Sequence, residues 1–419
     1  MDAVVMLALG SRGDVQPLAV LAGALGRRGV PVTFVALAEY DSVVRAEAPE
    51  ARFVPVAGRL GDAVRRGKTG EFLTRSPGGQ WLLLHRWTAG MASAVVDAVL
   101  AAVSPGDVVV TGVLTHGVAH ALTVASGHRA ATVVFTGLVP TLERDSHLYS
   151  TWFSGWRPYD AWGVRLAWHL AIAAGRAVTR EARSRLGLPR SGFAEGSAGC
   201  ARQPVIVAAS PTLVPPASDW PAGVHQTGYL APGQRACSPD AALAAFLEGK
   251  PTVYVGFGSF THFSTPADLD LVASAARSSG HRVVTPAPPF TRPGRVDRSV
   301  YAVGPVPHDW LFARVAGTIH HGGSGTTHAA LRAGVPSAVV PFGVDQPYHA
   351  RRLHALGVGP EPLPLKRLTA TSLAALIGAV ASPTASGYRR RAAEVGELVR
   401  AEDGVTRTVE LLERLGYLA

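Results

Sequence analysis

The sequence predicts an α/β protein made of two parallel-sheet halves, and three observations carry that prediction. Apolar runs of strand length alternate with helical patterns along the chain, which is the signature of βαβ units. The length, 419 residues, exceeds what a single hydrophobic core usually supports. Near the middle, prolines at 211, 215, 216 and 221 deny residues 210–223 both helix and central strand. Composition agrees, since 47% hydrophobic and 17% charged residues supply two buried sheets and give no case for global disorder.

Taken in order, the strands of the first half are expected at 3–9, 32–36, 107–111, 131–135 and 204–208. Residues 2–9 have the apolarity of a leader's core. They lack a basic flank and break at once into Gly10-Ser11-Arg12-Gly13-Asp14, so a first buried strand is the better reading. A helix is expected from near Pro17, whose fixed φ suits a first helical turn. The second half has its strands at 252–255, 282–285, 300–303, 316–319 and 337–340. The resulting organisation is a Rossmann-like N-terminal domain over 1–209, a linker over 210–240, a Rossmann-like C-terminal domain over 241–385 and closing helices over 386–419.

The formal charge of +10 implies an acidic partner, which a nucleic acid or a nucleotide diphosphate would satisfy. The arginine runs at 180–185 and 388–391 do not interleave with aromatics, so they read as solvated helix faces and no nucleic acid is expected. No apolar run reaches the roughly eighteen residues of a membrane span, and no stable membrane association is expected. Two cysteines, Cys200 and Cys237, make neither a disulfide framework nor a metal cluster, so a cytoplasmic, reducing setting is expected.

The chemistry concentrates at His320-His321-Gly322-Gly323-Ser324-Gly325-Thr326-Thr327, between an apolar strand and a helix. Glycines at a helix N-terminus let an anion approach unpaired N–H groups at the positive end of the helix dipole. His321, Ser324, Thr326 and Thr327 add side-chain donors, and the whole suits a diphosphate. About twenty residues on, Pro341-Phe342-Gly343-Val344-Asp345-Gln346-Pro347 ends another strand with a carboxylate beside an amide, the pairing that sugar hydroxyls need.

These residues resemble the donor-site signature of nucleotide-sugar-dependent glycosyltransferases of family 1 and the GT-B fold, two Rossmann-like domains whose parallel sheets face across a cleft. The likeness is strongest to bacterial natural-product enzymes of the glycopeptide-antibiotic type and to sterol glucosyltransferases. It extends to Pro307-His308-Asp309-Trp310, to Ala330-Leu331-Arg332-Ala333-Gly334-Val335-Pro336 and to Gly10-Ser11-Arg12-Gly13-Asp14-Val15-Gln16-Pro17.

The resemblance implies that Asp14 is the general base. It also implies that Ser11, Arg12, Gly258, Ser259, Val306, His308, His321, Gly323, Ser324, Gly325, Thr326, Thr327, Asp345 and Gln346 bind the donor, and that the last helix crosses back onto the N-terminal domain. The reaction would be inverting and O-linked, without metal or cofactor, from a TDP- or UDP-sugar to a lipophilic natural-product aglycone. Many relatives have a Trp where this chain has Pro305, and some have an Asp after the strand that ends here at Val110-Thr111-Gly112-Val113. A helix-capping role for Asp14 is compatible with catalysis.

Four of the eight tryptophans fall between His147 and His169, with Tyr149, Trp152, Phe153, Trp156, Tyr159, Trp162 and Trp168 together. That density suits a wall for a greasy acceptor, although about half, Trp168 included, are expected to pack helices. Trp81, His85, Trp87 and Met91 offer a second wall, with Phe135 and His116 nearby in the same half. For His85, His116 and His120 a core or surface role is the favoured one. Alternatives to the transferase reading are a sterol or lipid glucosyltransferase, a sugar-nucleotide epimerase and a non-catalytic sugar-nucleotide-binding protein.

Overall fold

A computed structural model of the chain describes residues 3–60, 77–143, 156–190, 203–233, 240–258, 265–288, 291–382 and 385–418. They form two compact units. One gathers the described residues up to Gly233 with those from Asp403 on, and the other runs from 240 to Glu402.

The first unit is built on β1 (Val4–Ala8), β2 (Val32–Leu37), β3 (Arg52–Val56), β4 (Val108–Thr111), β5 (Arg129–Val134), β6 (Val205–Val207) and β7 (Val224–Gln226). Their order across the sheet is β3-β2-β1-β4-β5-β6-β7, all parallel, with Val4 facing Val32 on one side and Val108 on the other. Alternation splits the sheet's side chains between two cores. Val4, Met6, Ala8, Phe34 and Val110 pack beneath the helix α1 (Arg12–Gly26), whereas Val5, Leu7, Val35 and Val109 face the helices Pro77–Gly90, Ala92–Ala102 and His116–Ser126.

Residues 210–233, placed in a linker on the sequence pattern, instead belong to this first unit. Leu213 and Val214 are buried there, and β7 adds an edge to the sheet. Proline excludes a central strand but leaves three residues just past the proline run able to pair at an edge. The helix Gly404–Arg414 also lies in the first unit. It buries Val409, Leu411 and Leu412 against α1 and ties Thr408 Oγ1 to Thr227 Oγ1 at 2.8 Å.

The second unit contains β8 (Thr252–Gly256), β9 (Arg282–Pro286), β10 (Gly294–Arg295), β11 (Val300–Val303), β12 (Gly317–His320) and β13 (Ser337–Val339), in the order β10-β11-β9-β8-β12-β13. Only the β10–β11 pairing is antiparallel. Both sheets therefore reverse their winding direction once, between β1 and β4 in one and between β8 and β12 in the other. Ligands of open α/β sheets bind at the carboxyl ends of strands flanking such a reversal. Among the described residues no helix is long and apolar enough to cross a membrane.

Candidate functional site

At the reversal of the second sheet, β12 ends at His320 and the helix α2 (Ser324–Ala333) starts after Gly323, with β8 alongside ending in Gly256. The N–H of Thr327 already bonds the Gly323 carbonyl at 2.9 Å. The N–H groups before it, at Ser324, Gly325 and Thr326, lack carbonyls one turn back within the helix. The His321 ring lies in a slot between two glycines. A Cβ at Gly258 would come within 2.6 Å of its Cε1, and one at Gly323 would collide with its Nε2. Both glycines are there to make room for an imidazole.

Among the described residues, the buried atoms His320 Nε2 and Thr327 Oγ1 at this turn have no hydrogen-bond partner, while the His321 ring interacts with the Gly256 backbone. Gly322 N donates to His320 Nδ1 at 3.0 Å, which puts the His320 proton on the unpartnered Nε2. Leaving such groups unpaired costs about 1–3 kcal/mol each, so a polar ligand at this turn would recover part of that. Burial lowers the His321 imidazole to about 4, with a smaller contribution from His349, so at neutral pH it offers a neutral ring. Ser324 is engaged with His328, whose Nδ1 donates to the Ser324 carbonyl at 2.8 Å. Among the described residues no group of three or more His, Cys, Asp or Glu is placed to hold a metal ion.

Beyond β13 the chain turns through Gly343 and Val344 into the helix α3 (Gln346–Ala355). Gln346 Oε1 accepts from Phe342 N at 2.8 Å and Gly343 N at 3.4 Å, which commits its carbonyl to the turn and leaves its amide N–H groups as the donors it can present. Val344, a β-branched residue, is held at φ 54°, where such side chains are strained. Asp345 follows with its side chain 20% exposed, and burial raises its carboxyl above the ordinary range while His349 pulls it back. Val306 is half-buried, and the His308 ring stacks on Phe312 at 4.6 Å with its neighbour Tyr254 edge-on at 5.7 Å. Trp310 packs against the same core, with the Arg314 guanidinium 4.4 Å from its ring centre. Ser259 lies outside the described residues.

In the first unit, Ser11, Arg12 and Asp14 come together at the reversal beside β1. The helix begins at Arg12, earlier than expected, and Pro17 sits inside it. Ser11 is the N-cap and Asp14 occupies the third helical position, so the two form a reciprocal capping box. Ser11 N and Oγ donate to Asp14 Oδ2 at 2.7 and 2.9 Å, which fixes the carboxylate's orientation. Gly10 has φ 145°, and a Cβ there would strike that same oxygen. The pattern Ser-x-x-Asp ahead of an apolar run is the signal that would have placed the helix start. Arg12 is exposed and donates from Nε to Gln16 Oε1 at 3.0 Å. Tyr40 lies close by, its phenol pushed up by burial and then by the charges of Glu39 and Asp14.

The residues expected to line an acceptor wall divide. Trp81 and His85 stack face to face at 5.1 Å, and Trp81 Nε1 donates to the Leu170 carbonyl at 2.7 Å, joining their helix to the helix Arg157–Ala174. Trp87 and Met91 are core residues under the sheet. His116, offered for the wall with a core or surface role favoured, is interior. It is 1% exposed with Nδ1 2.6 Å from Thr132 Oγ1, and burial lowers it to about 4. Phe135 is half-buried just past β5, and Trp168 is buried. Trp156, at the N-cap of the helix Arg157–Ala174, is 66% exposed, and Tyr159 and Trp162, three residues apart within that helix, are 48% and 57% exposed. Tyr149, Trp152 and Phe153 lie outside the described residues.

Known proteins are similar to this chain in sequence and in fold. Residues 272–415 match the family model described as the erythromycin biosynthesis protein CIII-like C-terminal domain. The chain is 30% identical over 424 residues to O-mycaminosyltylonolide 6-deoxyallosyltransferase of Streptomyces fradiae, spanning 98% of this chain and 96% of that protein. It is 36% identical over 225 residues to sterol 3-beta-glucosyltransferase of Komagataella phaffii, which covers 50% of this chain and 18% of that enzyme. The solved glycotransferase of kitacinnamycin superposes with a TM-score of 0.71 at 20% identity, covering 99% of this chain and 98% of that one, a likeness of fold.

Proposed function

Because the chain belongs to the glycosyltransferase family of the Streptomyces fradiae 6-deoxyallosyltransferase, we propose that it moves a hexose or deoxyhexose from a TDP- or UDP-sugar to a hydroxyl of a lipophilic natural-product aglycone. Antibiotic biosynthesis is the setting this reading assigns. The observation that carries the donor half is the pair of buried polar atoms, His320 Nε2 and Thr327 Oγ1, that have no partner among the described residues, beside the His321 ring at the N-terminus of α2.

In the proposed step Asp14 takes the proton of the acceptor hydroxyl while that oxygen bonds the anomeric carbon from the face opposite the diphosphate. The carbon–oxygen bond to the diphosphate breaks, and the leaving group keeps the electron pair. One displacement inverts the anomeric configuration. Charge gathering on the leaving oxygens is met by the N–H groups at the start of α2 and by the His321 ring, which is why the reading assigns no metal. Asp345 and the Gln346 amide would take sugar hydroxyls.

Asp14→Asn keeps the shape and the capping acceptor while removing the base. Its transfer rate is expected to fall about 100- to 10,000-fold with TDP and UDP affinity retained. Normal turnover by the purified variant would remove Asp14 from the mechanism.

A further inference from the structure

We propose that His349 is a positioning residue that aims the diphosphate-binding turn and ties it to the sugar-contact corner; the proposal rests on the donor-site reading above. His349 is fully buried on α3, 27 residues beyond the turn it touches. Its Nδ1 lies 2.8 Å from the carbonyl oxygen of Gly322, and because a carbonyl only accepts, Nδ1 carries the proton. The same nitrogen is 3.7 Å from Asp345 Oδ2, one helical turn earlier. One imidazole therefore stands between the glycine turn and the carboxylate assigned to the sugar.

The peptide bond turns this contact into a directional constraint. In a trans peptide the C=O and the following N–H point in opposite directions. Holding the Gly322 carbonyl on His349 thus aims the Gly323 N–H away from α3. The backbone there cannot drift toward α3 either. Gly322 has φ 91°, and a Cβ on it would come within 3.0 Å of the Gln346 carbonyl and 2.9 Å of Val339 Cγ1. With the carbonyl pinned, the donors following Gly322 are set before a ligand arrives, and such preorganisation is what an anion site needs.

Asparagine and leucine have nearly the same shape, but only asparagine can donate where His Nδ1 does. Calorimetric binding of UDP and TDP is expected to weaken about tenfold or more in His349→Leu, through the unsatisfied Gly322 carbonyl, and to be largely recovered in His349→Asn. In steady-state transfer the loss in His349→Leu should appear in the donor KM, with a smaller change in kcat. Equal affinity in the two variants overturns the proposal while leaving the donor site standing. Failure of the wild type to bind either nucleotide overturns the donor-site reading, and this proposal with it. A measurement on the unaltered protein stands if a variant does not fold: nitrogen-15 imidazole spectra should show His349 protonated on Nδ1, and the Nε2-protonated form would contradict the assigned contact.

Discussion

At the scale of the residue, the second unit's site is a matter of space left for one imidazole. Gly323 has an ordinary φ of −62°, so alanine is allowed there by its backbone, yet its Cβ would occupy the place of His321 Nε2. Gly323→Ala is therefore expected to lose nucleotide affinity by about tenfold or more while melting within about 1 kcal/mol of the wild type. Parallel titration and denaturation of the variant would check both halves, and undiminished affinity would mean that the ring does not meet the ligand. His321 and its glycines could be seen in the sequence because they are contiguous and sit where a strand gives way to a helix. His349 could not. Its contact with Gly322 spans 27 residues and depends on how α3 packs, which no local pattern encodes.

At the scale of the element, buried strands were legible, the edge strand β13 among them, and the less buried edges β3, β7 and β10 were not. The expected 300–303 coincides with β11, and 252–255 falls one residue short of β8, because both are continuous apolar runs. β3 reads Arg-Phe-Val-Pro-Val at the rim of the first sheet, where a polar residue and a proline are tolerated and the apolar signal fades. Helix starts failed for a different reason. Pro17 was the visible marker for α1, but the side-chain cap at Ser11 sets the boundary.

Two helices also carry a pH dependence. Burial lowers His116, at the start of its helix, from 6.5 to about 4, and His328, inside α2, from 6.5 to about 3. Both are neutral in the folded chain, while the unfolded chain would protonate them near 6.5. Their contributions, roughly 3 kcal/mol for His116 and roughly 5 kcal/mol for His328, are thus full above that value and decline as pH falls from there toward the folded values. Thermal melts should drop between about pH 7 and pH 4.5, with protons taken up on unfolding. A flat melting temperature across that range would show that the two rings are solvated.

At the scale of the whole molecule, each unit repeats one physical plan. A parallel sheet reverses its winding once, a strand-to-helix turn lies at the reversal, and polar groups are gathered there, Ser11 and Asp14 in one unit and His321 with α2 in the other. The two-sheet α/β class was legible because alternating strand and helix patterns persist through both halves, and the full-length relative belongs to the same enzyme class. In the proposed function the second unit's turn binds a nucleotide diphosphate. Calorimetric titration of the wild type and His321→Ala with TDP and UDP, with and without magnesium, tests it most directly. Binding that needs no magnesium and is lost in the variant is the predicted result; binding of neither nucleotide, or equal binding by both proteins, would contradict it.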